Sequence, residues 1–216
     1  MSRLDMEITQ TRAAGRAQTA PVQMARGQRA TGQTSFGQVH MEQAETSQNT
    51  GGIEVVPADF VAAMRANVTA VNLVTTDGPG GRFGLTVSAV SSVSAEPPLI
   101  LACLNRRSPA VDAITRNGVF CVNALNADQA HIADCFAGRP RDGQPFDFAC
   151  GSWLPGRSGA PELAGAVASL DCVVFAQHSA GSHEIFIGRV LSVISRALPP
   201  LLYWDRQYGK PHPLMQ

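Results

Sequence analysis

From about residue 53 onward the chain is a series of β-branched and apolar runs separated by turns too short to contain a helical crossover. NVTAVNLVTT (67–76) stops at DGPGG (77–81), a second run covers 82–94, EPP (96–98) intervenes, and LILACL (99–104) follows; further runs cover 119–125, 167–177 and 183–194. Parallel neighbours need a connection of a dozen or more residues, whereas antiparallel ones need only a turn. A mainly β, largely antiparallel barrel with short helices is therefore expected in place of a doubly wound sheet. No GxGxxG follows a strand, so a dinucleotide would have to bind by some other route than a Rossmann turn.

Three helices are expected, with readable ends. Pro57 at an early helical position, with Phe60 and Met64 four apart, predicts a short helix over 56–65 with one apolar face. Ser108 before Pro109 is an N-cap signal, and Gly118 supplies the stop. NADQ (126–129) has the form of a capping box, and Gly138 ends that helix.

Residues 1–52 differ in kind. They are rich in Gln, Thr, Ala, Gly and Arg and hold Phe36 as their only aromatic. Such a stretch buries too little apolar surface to offset its ordering entropy, so a disordered N-terminal extension is expected, with the domain over 53–216. Everything upstream of Met41 reads as dispensable, which makes Met41 a candidate start.

With 17 basic and 17 acidic residues the net charge is zero, which gives no general electrostatic grip on nucleic acid or an anionic membrane. The 5 cysteines are odd in number and contain no CxxC, as suits reduced thiols in a cytoplasmic protein. The histidines at 40, 131, 178, 183 and 212 lack metal-ligand spacing, and no apolar run approaches the length of a membrane span.

Candidate chemistry lies in three places. In TVSAVSSVS (86–94), strand alternation puts Thr86, Ser88, Ser92 and Ser94 on one face with Val90, and Val87, Ala89, Ser91 and Val93 on the other. Lys, Glu and Arg, usual on a solvated strand, are missing here, so the hydroxyl face fits a neutral polar ligand surface better than a solvated one. LNRRSP (104–109) brings Arg106 and Arg107 to a helix start whose free N–H groups favour an anion, with Ser108 adding a hydroxyl. AGSHEIFIGRV (180–190) aims His183 from the start of a strand; the plain alternative is a histidine satisfied by water. Ser88 and Ser91 lack a GxSxG elbow, which disfavours a hydrolase. His131 reads as surface or structural, Asp142 and Asp147 as turn formers, and Tyr203 and Trp204 as either core aromatics or pocket walls.

VTAVNLVTT (68–76), GLTVSAVSSVS (84–94) with PPL (97–99), NRRS (105–108), FCVNAL (120–125), GSH (181–183), PLLY (200–203) and YG (208–209) occur in an order that resembles the short-chain flavin reductases. These serve as reductase components of two-component flavin-dependent monooxygenases. The resemblance implies a homodimeric, Greek-key-like split β-barrel that binds FMN or FAD, reduces it with NADH or NADPH, and releases it to diffuse to a monooxygenase. It maps flavin contacts onto Thr86, Val87, Ser88, Ala89, Ser91 and Ser92, onto Cys103, Leu104, Asn105, Arg106 and Ser108, and onto Phe136 as a further wall. Nicotinamide contacts fall on His183, the residue expected to serve catalysis, and on Ser182 and Tyr203. Ser182 stands where the family usually has Asp, replacing a charge beside the imidazole with a neutral hydrogen-bonding group. A split-barrel protein that binds flavin for storage or sensing without turnover is the alternative.

Overall fold

The computed structural model describes residues 55–214. The expectations for residues 1–52, including a start at Met41, lie outside them. The described chain is mainly β with three short α-helices. Strands β1 (Thr69–Ala70), β2 (Asn72–Thr76), β3 (Phe83–Val87), β4 (Val90–Ala95) and β5 (Pro98–Asn105) follow helix α1 (Pro57–Arg65). Helix α2 (Pro109–Asn117), strand β6 (Val119–Ala124) and helix α3 (Ala130–Phe136) come next. Then come β7 (Trp153–Pro155), β8 (Pro161–Leu163), the long pair β9 (Ala168–Ala180) and β10 (His183–Ser195), β11 (Leu202–Trp204) and β12 (Gln207–Gly209).

Every strand pairing is antiparallel; short turns account for the pairs of consecutive strands, such as β2–β3, β4–β5 and β9–β10. The main sheet has 7 strands in the order β3-β2-β6-β9-β10-β5-β4, beside a 3-stranded sheet β1-β11-β12 and a 2-stranded one, β7-β8. Strands β3 and β4 occupy opposite edges of the main sheet, yet only Ser88 and Ala89 separate them in sequence. The sheet must therefore curl until its two edges approach at that dipeptide. There the Ala89 carbonyl accepts from the Cys103 N–H at 2.9 Å.

Curling creates two apolar layers. The inner one joins Val74, Val87, Ile100, Leu104, Phe120 and Phe186 with Ile114 of α2. The outer one packs Leu73, Leu125 and Leu201 under Ile132, Ala133 and Phe136 of α3. Gly84 is required where α3 crosses β3: a Cβ there would sit 2.6 Å from the Phe136 ring.

The local signals at the helix ends hold. The Ser108 hydroxyl accepts from the Ala110 N–H, Pro109 opens α2, and Gly118 closes it at φ 68°. The Asn126–Gln129 capping box is present, on a 3₁₀ turn (Ala127–Gln129) that leads into α3. Helix α1 forms as expected, but its apolar face is left open among the described residues: Phe60 is 60% exposed and Met64 49%. The expected continuous strand over 82–94 is instead two strands, because the sheet edges meet at Ser88–Ala89. None of the described helices is long and apolar enough to cross a membrane.

Candidate functional site

The break at Ser88–Ala89 dismantles the hydroxyl face expected from simple alternation. Thr86 turns toward α3 and donates its hydroxyl to the Ala133 carbonyl at 2.8 Å. Ser94 accepts from the Glu96 N–H at 3.2 Å, beyond a bulge that shifts the β4–β5 register between Ser92 and Ser94. Val87, expected near the ligand, is buried in the inner core. Leu104 and Phe136 are 0% exposed, so neither side chain forms a ligand wall. The Phe136 ring instead meets Phe148 and Trp153 edge-on at 5.0 and 5.8 Å.

A different face gathers the remaining candidates. Along β5, Ile100, Ala102 and Leu104 point into the core, which turns Leu101, Cys103 and Asn105 to the opposite side. Cross-strand register places Ser91 opposite Leu101, Ile185 opposite Cys103 and His183 opposite Asn105. Ala89, bonded to Cys103, adjoins the same surface. Burial raises the Cys103 thiol above its ordinary range, so it faces this surface as a neutral group.

His183 is exposed at the start of β10, and its Nδ1 lies 2.9 Å from the Ser182 hydroxyl. The serine takes up one ring nitrogen without bringing a charge, and leaves Nε2 free of that contact. The Ser182 carbonyl accepts from the Arg106 N–H at 3.0 Å, which fastens the histidine turn to the end of β5. Arg106, expected at a phosphate, reaches Glu184 with its Nε at 3.9 Å. Glu184 is itself buried and accepts from Gln177 and Ser179. Arg107 points the other way and lines the cavity at the start of α2. The turn after β5, closed by the Ser108 N–H on the Asn105 carbonyl at 2.9 Å, sends the two consecutive side chains in different directions.

That cavity has a volume of about 430 Å³ and is bordered by Asn105, Arg107 and Ser108 together with Phe83, Leu85 and Phe146. A second space, of about 180 Å³, lies between Thr86, Ser88, Arg139, Tyr203 and Tyr208, and a third of about 370 Å³ runs from Ser88 and Tyr203 to Phe60 and Met64 of α1. The Tyr203 and Tyr208 rings pack at 5.4 Å. Burial and the hydrogen bond it donates to Asp134 push Tyr208 upward, so its phenol stays protonated. Tyr203 thus lines different cavities from the one beside Asn105.

Sequence reasoning did not single out Phe83, Leu85, Arg82, Phe146, Arg139 or Tyr208. Of these, Leu85 and Tyr208 had a signal, lying in the GLTVSAVSSVS and YG segments of the family resemblance.

A mainly β chain with one curled antiparallel sheet and a ligand-sized cavity between β3, the end of β5 and the start of α2 is the class that this architecture defines. A family model described as "Flavin reductase like domain" matches residues 64–212, and the chain belongs to that family. It is 45% identical over 166 residues to an FMN reductase (NADH), RutF 1, of Methylorubrum extorquens, covering 76% of this chain and 81% of that one. Among solved structures it is similar to the Streptomyces globisporus NADH:FAD oxidoreductase SgcE6 in complex with NAD and FAD fragments. That pair has 31% identity and a TM-score of 0.66, over 75% of this chain and 98% of that one. BorF, the flavin reductase component of a bacterial two-component tryptophan halogenase, has 33% identity and a TM-score of 0.64, over 71% and 96% of the two chains.

Proposed function

We propose that this protein reduces FMN or FAD with NADH and releases the reduced flavin to a separate flavin-dependent monooxygenase. Each turnover moves a hydride from NADH to the flavin, takes up a proton, and yields NAD⁺ and the dihydroflavin; the ring chemistry belongs to the two cofactors. The chain's part is to bind both and hold their rings together, out of water.

The observation that carries this reading is the junction, at Asn105, of a neutral strand face with an arginine-bearing cavity. The face shared by Ser91, Cys103, Asn105 and His183 meets the cavity at the start of α2 at Asn105, which belongs to both. Neutral donors and apolar walls suit a flat heteroaromatic ring, while Ser108, Arg107 and the first N–H groups of α2 suit a phosphate. Ala89 and Ser88 contribute backbone groups at the meeting of the edges, and Ser92 lies beside them on β4. His183, held through Nδ1, positions the nicotinamide with its remaining nitrogen.

Two copies form a homodimer of split barrels in this reading, with 53–216 as the working domain and 1–52 dispensable to it. Exposed Phe60, Met64, Phe175 and Val193 support the pairing, since a lone soluble chain seldom leaves so many large apolar groups uncovered. The five free thiols suit a reducing, cytoplasmic setting.

The test follows NADH absorbance on addition of FMN or FAD, with NADPH in parallel. Rapid loss with NADH and either flavin is expected. Flavin binding with no oxidation of either nicotinamide would leave a flavin-binding protein without turnover and defeat the proposal.

A further inference from the structure

Phe146 stands out among the described residues. Its φ is 60°, in the left-handed region that phenylalanine seldom occupies, and its ring is 49% exposed. The conformation is held from two sides: the Phe146 N–H donates to the Cys135 carbonyl at 3.1 Å, and the ring closes over Gly138, where a Cβ would meet its Cζ at 3.1 Å. Core burial does not account for an unfavourable backbone that presents half an aromatic ring to the outside. What the ring does face is the 430 Å³ cavity at the start of α2, with Phe83, Leu85 and Pro109 as further apolar walls.

The polar side chains of that cavity are few, and the charged ones are both cationic, Arg82 and Arg107. Arg82 is already committed, 3.8 Å from Asp77 and stacked 4.2 Å over the Phe148 ring. Among the described residues no carboxylate lies within 4.0 Å of Arg107, which leaves its guanidinium available at the rim. An aromatic wall, apolar surroundings and one uncommitted arginine match a planar base carrying a phosphate. Asn105 and Ser108 belong both to this cavity and to the proposed flavin surface, so its occupant is continuous with the ligand held there.

We propose that the cavity is an adenosine-phosphate subsite, in which Phe146 stacks on the purine and Arg107 meets the adjoining phosphate. The proposal deepens the flavin-reductase reading and rests on it for the molecule that supplies the adenosine. That chemistry is common to FAD and NADH and absent from FMN.

Calorimetric titration of the full chain with ADP tests the subsite without turnover. The informative variant is Phe146→Gly, which removes the ring while giving the left-handed backbone a residue that adopts it freely. ADP is expected to bind, to weaken by about tenfold in Phe146→Gly, as loss of one base–aromatic stack would produce, and to recover in Phe146→Trp. Steady-state kinetics then separate the sources. A higher KM for FAD with FMN unchanged assigns the adenosine of FAD, and a higher KM for NADH with FMN as acceptor assigns that of NADH. No ADP binding, or binding indifferent to Phe146→Gly, overturns the subsite, as does an FMN KM that rises as much as that for FAD. ADP binding through Phe146 in a chain that never oxidises NADH would sink the reductase reading and leave the subsite standing.

Discussion

Around Asn123 every hydrogen-bonding group of the amide is spent inside the protein, whereas around Asn105 most remain available. Both residues lie on strands of the same sheet. The Asn123 amide donates to Thr75 Oγ1 and to the Leu73 and Pro161 carbonyls, and its oxygen accepts from the Leu163 N–H at 2.8 Å and Ser169 Oγ at 2.9 Å. Fully buried, it locks β2, β6, β8 and β9 together. Asn105 is exposed, and its side chain accepts from the Arg107 N–H at 3.0 Å in shaping the turn to α2. Its neighbours His183 and Arg107, and Ser91 farther along the same face, are likewise only partly engaged among the described residues. A polar residue on a strand is thus framework or site according to whether its bonding capacity is used up.

The largest effect should come from emptying the saturated cluster. Asn123→Ala strands several buried donors and acceptors at once, and should cost about 3 kcal/mol of unfolding free energy in a denaturant titration. The molecules that remain folded should keep a normal KM for NADH; a shifted KM would mean that the two regions are coupled.

On the open side, His183→Ala should leave stability nearly unchanged and raise the KM for NADH by about tenfold, the worth of one positioning contact. Flavin affinity, followed by fluorescence titration, should move less than about twofold. Equal losses for both ligands would remove the role assigned to the imidazole.

A smaller effect belongs to Glu162, on β8 beside the saturated cluster. Burial, and then the Asp171 carboxylate, raise its pKa above the ordinary value of 4.5, with Arg196 opposing weakly. The folded chain therefore holds this proton more tightly than the unfolded one does. Glu162's contribution to stability is complete below 4.5 and is lost as pH rises through the higher folded value. Glu162→Gln removes that loss, so its Tm should exceed that of the parent near neutral pH by a few degrees at most, and the gap should close on acidification. A constant gap at all pH values would show that the charge is not the cause.

How far the sequence could be read depended on the range of the forces involved. Ser108, Gly118 and the Asn126–Gln129 box were legible because each cap is satisfied within a few residues. Antiparallel pairing of consecutive strands was legible because short turns permit nothing else. The family resemblance also held, since it rests on the order of many segments and so survives errors at single positions. That the Thr86 hydroxyl is spent on the Ala133 carbonyl was not legible, because alternation predicts a face but says nothing of a helix carbonyl lying across it. Arg106 and Arg107 are chemically alike, and only the turn that fastens to Ser182 and leaves Arg106 near Glu184 separates them. Phe136 had the right residue type for a wall, yet α3 presses it into the core over Gly84, and Phe146 ten residues later takes the exposed place.

By itself, then, the amino-acid sequence determined the elements, their antiparallel pairing, the family, and the segments from which a site could be drawn. These follow from local sterics, from turn length and from the order of motifs along the chain. The tertiary structure alone decided which side chains are consumed and which are presented. That depends on where the two edges of the curled sheet meet and what packs across each strand, and such contacts join residues far apart in the chain.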